Sequence, residues 1–354
     1  MSIQPGFYAI FIFLCSMKKS DLCGYNVNEI HNLIQPAGFN YSHALKISNS
    51  LYKKRISEFQ DISNIPKKLI EFLSAKYSPG FFKPVTSQLS SDRSIKYLFR
   101  NSAGLQYETV FIPEGKRNTV CVSVQSGCRM ACPFCMTGSY GFRGDIPAGE
   151  IINQVLSLPD AGDVTHVVFM GMGEPMDNLD NVLKACEIMT AEWGMALSPR
   201  NVTVSTIGVR PGVIRFLQDS ECNLTLSLYS PFPDERKRVI PLESRYPAEE
   251  MIALLKDIPA RKQRRFSVAY IMINGVNDTE RHLQKLRDLL QGSKVRVNLI
   301  PYHPVPGSSD TASSQERMHY FRHELTMGGV SASVRRSRGA DISAACGLFA
   351  AGLH

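Results

Sequence analysis

The sequence lacks the features that mark secreted and membrane-spanning proteins. Its apolar N-terminal run, residues 7–15, is too short to span a bilayer. No basic residue precedes this run and no small-x-small cleavage site follows it, so it does not match a signal peptide. A start at Met17 would make residues 1–16 an upstream translation artefact, and we treat residues 1–24 as a non-native or flexible extension. We therefore expect a cytoplasmic protein with no membrane partner.

The sequence also lacks a disulfide framework. Its nine cysteines are odd in number and scattered along 354 residues, which suits a reducing cytosol where thiols stay free for metal binding or catalysis. The length allows one large domain with a smaller one attached. The formal net charge of +8 favours an anionic partner such as RNA, although a basic soluble enzyme fits the charge equally well.

Three cysteines, Cys128, Cys132 and Cys135, form the pattern Cys-x3-Cys-x2-Cys. Thiolates are soft ligands suited to iron–sulfur clusters, and a [4Fe–4S] cluster normally takes four of them. No Cys or His follows Cys135 nearby, and Cys121 lies upstream in a predicted strand. This absence argues against structural zinc, which needs four ligands. We predict a cluster whose fourth iron stays open for an exchangeable ligand.

The pattern of elements predicts an α/β protein built as a partial (β/α)6 barrel of the TIM type. Residues 25–82 have helical spacing and would form a small N-terminal domain of the RNA-binding type, and residues 83–116 alternate like a short antiparallel β region. Residues 117–349 alternate between strand and helix, which indicates a parallel sheet covered by helices. No Gly-x-Gly-x-x-Gly follows the first of these strands, so an open Rossmann sheet is disfavoured.

Polar and glycine-rich segments follow several of the predicted strands. In a barrel of this type they meet at the carboxyl ends of the strands, where the cysteine loop also lies. Each alone would more often be an ordinary connection or a satisfied polar residue than a ligand, but their shared position favours a site. These residues are Gly173, Glu174, Ser205, Ser227, Leu228, Tyr229 and His303.

The motifs together resemble one family. The cysteine loop, with Phe134 before its last cysteine, and the following Gly-Met-Gly-Glu-Pro at 171–175 resemble the radical S-adenosylmethionine enzymes. The resemblance is closer to the RlmN/Cfr-type ribosomal RNA adenine methyltransferases, and it runs from about residue 45 to residue 349. The matching segments are 107–114, 121–125, 197–200, 204–208, 298–301 and 338–347.

The resemblance implies two cofactors, a [4Fe–4S] cluster on the three cysteines and S-adenosylmethionine. The open iron would chelate S-adenosylmethionine, which is then cleaved to a 5′-deoxyadenosyl radical. Radical chemistry is needed because a ring carbon of adenine is not nucleophilic. Two S-adenosylmethionine molecules would be used in sequence in each turnover. By the same match, the strand-end residues from Gly173 to His303 named above would bind S-adenosylmethionine.

Three further residues gain catalytic roles from the resemblance alone. Cys346 would accept the first methyl group on its sulfur and carry it to the adenine. Glu108 would remove the ring proton, and Cys121 would release the product by forming a transient disulfide with Cys346. Without the family, Cys346 would be read as an inert small residue near a flexible tail. Glu108 would be read as a surface carboxylate and Cys121 as a buried strand cysteine.

The sequence departs from the family at four positions near these motifs. Tyr229 stands where the family usually has His, and His303 where it has Asn. Ser343 replaces Asp and Leu348 replaces Gln around the Cys346 motif. The exchanges at Tyr229 and His303 keep hydrogen-bonding capacity but change size and donor pattern, while the catalytic set remains intact. The chain is therefore expected to be a divergent member of the family.

Our expectation is a monomeric methyltransferase that acts on C2 of an adenine in 23S ribosomal RNA, with transfer RNA as a second substrate and flavodoxin or ferredoxin as electron donor. Arg335, Arg336 and Arg338 would hold RNA phosphates near Cys346. The basic run at 261–265 is expected to be a solvated surface. Methylation at C8, as in antibiotic-resistance enzymes, is the nearest alternative, since residues 197–200, 204–208 and 245–247 lean that way. A radical enzyme acting on a protein and a non-enzymatic RNA-binding descendant are more distant alternatives.

Overall fold

The structure is a computed structural model that describes residues 19–258 and 264–349. Most of the N-terminal extension, including Met17, and residues 261–263 of the basic run lie outside the described residues. The strands are β1 (Ser20–Asp21), β2 (Tyr77–Ser78), β3 (Thr86–Leu89), β4 (Ile95–Arg100), β5 (Gln106–Glu114), β6 (Arg117–Cys121), β7 (Gln125–Ser126), β8 (Gly144–Asp145), β9 (His166–Phe169), β10 (Val202–Thr206), β11 (Asn223–Ser227), β12 (Phe266–Met272), β13 (Arg296–Pro301) and β14 (Ala332–Val334). The helices are α1 (Val27–Ile34), α2 (Tyr41–Tyr52), α3 (Lys67–Lys76), α4 (Met136–Ser139), α5 (Ala148–Leu156), α6 (Leu179–Thr190), α7 (Arg210–Asp219), α8 (Pro233–Val239), α9 (Ala248–Asp257), α10 (Glu280–Leu290) and α11 (Gln315–Met327).

The predicted parallel sheet is confirmed. Strands β6, β9, β10, β11, β12, β13 and β14 lie side by side in chain order, and every neighbouring pair among them is parallel. Within the described residues β14 is an edge strand, so the barrel is partial, as the sequence predicted. Helices cover the outside of the sheet through apolar stripes such as Leu283, Leu286 and Leu290 of α10, all of them buried.

The short β region continues the same sheet rather than forming a separate unit. Strands β3, β4, β5 and β6 pair antiparallel in succession, and β6 then pairs parallel with β9. The antiparallel pairing of β4 and β5 was expected from the sequence. Their attachment to the barrel was not, because it depends on contacts between β5 and β6 across a turn. The result is one sheet of ten strands.

The N-terminal helices begin at well-defined caps. Asn26 and Asn40 each accept a hydrogen bond from the third backbone amide of α1 and α2, respectively. Their buried apolar residues belong to the same hydrophobic core as the barrel. Tyr52 contacts Trp193 with ring centroids 6.1 Å apart, and Lys184 of α6 pairs with Glu29 at 2.7 Å. The helices therefore pack directly against the barrel.

Among the described residues, no helix is both long enough and apolar enough to cross a membrane.

Candidate active site

A cavity opens at the carboxyl ends of the parallel strands, and it gathers most of the predicted site residues. All three cysteines of the loop line it together with Cys346. Gly173 and Glu174 follow β9, and the ends of β10 and β11 contribute further polar residues. The other predicted residues on its wall are Ser205, Ser227 and Tyr229. The sequence prediction that these segments meet at one face of the barrel is therefore met by the geometry.

The three cysteines of the loop fit an iron–sulfur cluster. Their thiols face the same cavity, and burial raises the pKa of Cys128 to about 12. The pKa of Cys132 is raised mainly by burial and also by the neighbouring thiolates of Cys135 and Cys128. The positive charge of bound iron would offset this repulsion and stabilise the thiolates, because a thiol that coordinates a metal is deprotonated. The described residues contain no group of three or more His, Cys, Asp or Glu suited to a single metal ion. A cluster has no such requirement because each thiolate binds a different iron.

Glu174 is a buried carboxylate aimed into the cavity, with 3% of its surface exposed. Its two oxygens accept hydrogen bonds from the backbone amides of Met176 and Ile207, each at 3.0 Å. Burial nevertheless raises the pKa of Glu174 to about 7. Gly173 beside it has φ +97°, and a Cβ there would lie 2.6 Å from Gln125, so only glycine fits. The site thus presents a buried carboxylate suited to an ammonium group.

Arg236 is a buried side chain that binds two of the segments lining the cavity, and only 1% of its surface is exposed. Its guanidinium donates to the carbonyls of Ile207 at 2.5 Å, Ser227 at 3.1 Å and Leu228 at 3.0 Å. The buried carboxylate of Glu243 pairs with the same guanidinium. One side chain therefore fastens the segments that follow β10 and β11. The backbone amide of Ile207 donates a hydrogen bond to Glu174. Because Arg236 holds Ile207 in place, it also helps to fix the position of the Glu174 carboxylate.

Tyr229 lies in the cavity in an unusual backbone conformation. Its φ is +62°, a strained region for a residue other than glycine. Its carbonyl accepts a hydrogen bond from Asn277 at 2.8 Å, which helps to hold that conformation. The ring stacks on Phe134 of the cysteine loop, with centroids 5.2 Å apart and planes at 20°. Tyr229 thus makes an aromatic contact between the β11 segment and the cysteine loop.

The loop that carries Cys346 is attached to the cysteine loop. The Met136 amide donates to the Gly347 carbonyl at 2.7 Å, and the Thr137 hydroxyl donates to the Phe349 carbonyl at 2.9 Å. On its other side, Asp341 accepts hydrogen bonds from Ser90 and Ser91 in the β3–β4 turn, which hold the pKa of Asp341 down to about 2. These contacts place Cys346 at the cavity, where desolvation raises its pKa and the Arg335 guanidinium lowers it.

Cys121 and Glu108 lie beside the cavity rather than on its wall. Cys121 of β6 pairs with Val110 of β5, and Glu108 is two residues from Val110, so both side chains are on one face of the sheet. Burial and then the charge of Cys346 raise the pKa of Cys121. Glu108 forms a buried ion pair with Lys96, 3.3 Å from nitrogen to oxygen. Among the described residues, the cysteines are free thiols.

Two of the predicted residues do not face the cavity with their side chains. Leu228 is fully buried, and its backbone carbonyl serves as an acceptor for Arg236. His303 lines a different cavity, where its Nε2 lies 2.9 Å from the Ser337 hydroxyl. The structure therefore separates His303 from Glu174, Ser205 and the other residues predicted to share its ligand.

Comparison with known proteins agrees with this geometry. Residues 122–290 match the family model described as the Radical SAM superfamily. The sequence is 42% identical to a "Probable dual-specificity RNA methyltransferase RlmN" of Bacteroides fragilis, over 94% of this chain and 97% of that protein. A protein of the same name from Thermus thermophilus is 38% identical, over 86% of this chain and 88% of that one. A crystal structure of a radical SAM methyltransferase from Sphaerobacter thermophilus superposes with a TM-score of 0.86, at 35% identity, covering 94% and 99% of the two chains.

The partial barrel with a three-cysteine loop at its open end is a radical SAM protein. Membership of this superfamily implies a [4Fe–4S] cluster and S-adenosylmethionine as its cofactors. Within the superfamily, the chain belongs to the RlmN family, because the match extends over nearly the full length of both proteins.

Proposed function

We propose that the protein is an RNA methyltransferase that places a methyl group on C2 of an adenine in 23S ribosomal RNA, with transfer RNA as a second substrate. The observation that carries this proposal is the position of Cys346 in the same cavity as the three cysteines of the loop. The names of the relatives, which describe dual-specificity RNA methyltransferases, support an RNA substrate. The cluster and S-adenosylmethionine, fed by an electron from flavodoxin or ferredoxin, would supply the radical that activates the methyl group.

The chain's own residues then have distinct tasks. S-adenosylmethionine would bind to five residues on the cavity wall, Gly173, Glu174, Ser205, Ser227 and Tyr229. Glu174 would form an ion pair with the ammonium group of S-adenosylmethionine. The Cys346 thiolate would attack the methyl carbon of a first S-adenosylmethionine, forming an S–CH3 bond and releasing S-adenosylhomocysteine.

Glu108 and Cys121, which lie beside the cavity, would carry out the remaining steps. After the carbon is joined to adenine, Glu108 would take the ring proton, and the cluster would supply the acceptor for the unpaired electron left on the ring. Lys96 lies 3.3 Å from the Glu108 carboxylate and holds it in place. The Cys121 thiolate would attack the Cys346 sulfur and break the S–C bond, whose electron pair stays on the carbon. That carbon takes a proton to become the methyl group, and cellular thiols must reduce the resulting disulfide before the next turnover.

Nucleoside mass spectrometry of large-subunit RNA tests the proposal. A strain that lacks the gene should lack 2-methyladenosine, and complementation should restore it. If complementation yields 8-methyladenosine instead, the methylated carbon is C8; if neither nucleoside appears, the proposed reaction is wrong.

Cys346→Ala should abolish methylation and remove the methyl group that mass spectrometry is expected to find on Cys346 of the purified protein. The cysteines of the loop stay intact, so cluster absorbance and cleavage of S-adenosylmethionine should persist. A Cys346→Ala protein that methylates RNA at the wild-type rate would refute the carrier role.

Binding of S-adenosylmethionine should weaken as the pH falls through 7. Above its pKa of about 7, Glu174 is ionised and attracts the ammonium group; below it, the neutral carboxyl does not. The dissociation constant should therefore rise about tenfold per pH unit well below 7. Equilibrium dialysis between about pH 8 and about pH 5.5 measures this. Glu174→Gln should bind weakly with no such slope, and a flat wild-type profile would contradict this assignment.

We further propose that residues 25–82 help to grip the RNA. The exposed residues Lys53, Lys54 and Arg55 follow α2 and could contact phosphates without reading sequence. Their triple replacement by Gln should lower RNA affinity and flatten its salt dependence while leaving S-adenosylmethionine cleavage unchanged.

A further inference from the structure

The segment after β11 contains a strained turn at the wall of the cavity. The Ser230 amide donates to the Leu228 carbonyl at 2.8 Å, and Tyr229 between them has φ +62°. A three-residue turn with a positive φ at its centre is a rare kind of γ-turn, and it is strained for a residue that has a side chain. Glycine would adopt it without strain, yet this position is a tyrosine. The surrounding structure must therefore hold the turn in place.

The side chain of Asn277 holds the centre of this turn. The backbone pairing between β11 and β12 continues as far as Leu228, whose amide donates to the Ala269 carbonyl at 2.9 Å. One residue further on, the side-chain amide of Asn277 donates to the Tyr229 carbonyl at 2.8 Å. Asn277 thus continues the connection between the two segments into the strained turn.

The amide group of Asn277 is buried and fully engaged. Its Nδ2 donates to the Ile271 carbonyl at 2.7 Å as well as to Tyr229, and its Oδ1 accepts from the Ile273 amide at 2.7 Å. Both amide hydrogens and the oxygen are therefore in use, and the residue is fully buried. A leucine would be of similar size but could neither donate nor accept. The position thus requires an amide for a reason that packing alone does not give.

The turn that carries Asn277 is itself firmly held. The Tyr270 hydroxyl donates to the Asn277 carbonyl at 2.6 Å. The next residue, Asp278, accepts from the Gly275 amide at 2.9 Å and from the Ser313 hydroxyl at 2.7 Å. A side chain on a rigid support can keep a strained neighbour in place, because it does not move with it. Asn277 is therefore preorganised to bind the Tyr229 carbonyl.

The backbone of Tyr229 determines where its ring lies, because the allowed side-chain rotamers depend on φ and ψ. That ring lines the cavity and stacks on Phe134, the residue before Cys135 of the cysteine loop. Without the bond from Asn277, Tyr229 would relax to a negative φ and its ring would leave this stack.

We propose that Asn277 is a positioning residue for the cofactor site: it locks the strained turn and thereby places the Tyr229 ring on the wall where S-adenosylmethionine would bind. The inference rests on the proposed function, because it takes Tyr229 as one of the residues that bind S-adenosylmethionine. Asn277 itself is not on the cavity wall, so its effect on the cofactor would pass through Tyr229.

A double-mutant cycle tests this proposal on cluster-loaded protein. The four proteins are the wild type, Asn277→Leu, Tyr229→Gly and the double variant, and their affinity for S-adenosylmethionine is measured by equilibrium dialysis. Glycine adopts a positive φ without strain, so Tyr229→Gly removes both the strain and the ring that Asn277 would position. If Asn277→Leu does not fold, Asn277→Ser, whose side chain is shorter and has no amide, takes its place in the cycle.

We expect Asn277→Leu to raise the dissociation constant about tenfold in the wild-type background, as for release of one strained residue. In the Tyr229→Gly background the same change should raise it by no more than about twofold, because residues that act through each other are not additive. The midpoint of thermal unfolding should fall in both backgrounds, since the bonds to Ile271 and Ile273 are lost in each. Affinity and stability therefore respond differently to the same substitution.

Asn153→Leu is the matched control. Asn153 of α5 is also a fully buried asparagine, and its side chain pairs with the Phe82 carbonyl at 2.9 Å and the Phe82 amide at 3.0 Å. It does not line the cavity. The control should lose stability as Asn277→Leu does, while its affinity for S-adenosylmethionine stays within about twofold of wild type.

Three results would overturn the proposal. Wild-type affinity in Asn277→Leu would show that the residue positions nothing in the cofactor site. Equal losses in both backgrounds, or an equal loss in Asn153→Leu, would show an effect that does not pass through Tyr229. Wild-type affinity in Tyr229→Gly would remove Tyr229 from the cofactor site. Failure of RNA methylation is a separate result, because none of these affinities is measured with RNA.

Discussion

Replacing Cys121 by alanine should convert the protein into one that becomes covalently attached to its RNA. In the proposed reaction the transferred carbon is bonded both to the Cys346 sulfur and to the adenine ring. In that reaction a second thiolate attacks this sulfur to break the S–C bond. The thiol proposed for this step is Cys121, which is buried and whose pKa is raised by burial and by the charge of Cys346. Without it the bond should persist. Release of methylated RNA should fall by about a hundredfold or more.

Denaturing gel electrophoresis with labelled RNA would detect the attached species, and mass spectrometry of nuclease-treated protein would locate it on Cys346. Cys222→Ala is the matched control, because Cys222 is also a buried cysteine beside a barrel strand but lies at the start of β11. The control should form no adduct and keep its activity. If the Cys121→Ala protein released methylated RNA normally, Cys121 would have no part in product release.

The sequence predicted the parts of this site that depend on local pattern. The spacing of the three cysteines and the glycine-rich segment after β9 can be read without knowing any contact. The parallel order of β6 and β9–β14 followed from the alternation of strand and helix, because crossover connections place successive strands side by side. Since the carboxyl ends of such strands share one edge, their polar residues were expected to meet.

Contacts between distant segments could not be predicted in this way. Lys96 pairs with Glu108 only because β4 and β5 are adjacent, and nothing around Lys96 in the sequence indicates a buried amine. Arg236 belongs to a charged stretch, residues 234–238, that would normally be solvated, yet it alone of that stretch is buried. His303 lines a different cavity from the one that holds the cysteines, and its partner there is Ser337, 34 residues later in the chain.

Replacing Arg236 by methionine should give a second large effect, a loss of affinity for S-adenosylmethionine. The guanidinium donates to carbonyls of Ile207, Ser227 and Leu228, and no single apolar side chain can replace these bonds. Methionine is similar in length and uncharged, so it fills the space without donating. The segments after β10 and β11 would separate, and Glu174 would lose the fixed position of its partner Ile207. We expect the dissociation constant to rise about a hundredfold, equivalent to about 2.7 kcal/mol.

Stability must be separated from positioning, because the same change leaves the buried Glu243 carboxylate without its partner. Breaking a buried ion pair typically costs about 3–5 kcal/mol, whereas replacing both partners by apolar residues is often close to neutral. The double variant Arg236→Met, Glu243→Leu should therefore unfold at a higher temperature than the single variant. Its affinity for S-adenosylmethionine should stay as weak, since the strand-end carbonyls still lack their donor. If the double variant regained wild-type affinity, Arg236 would serve folding alone; if it regained only stability, the guanidinium is what keeps the two strand ends in register for the cofactor.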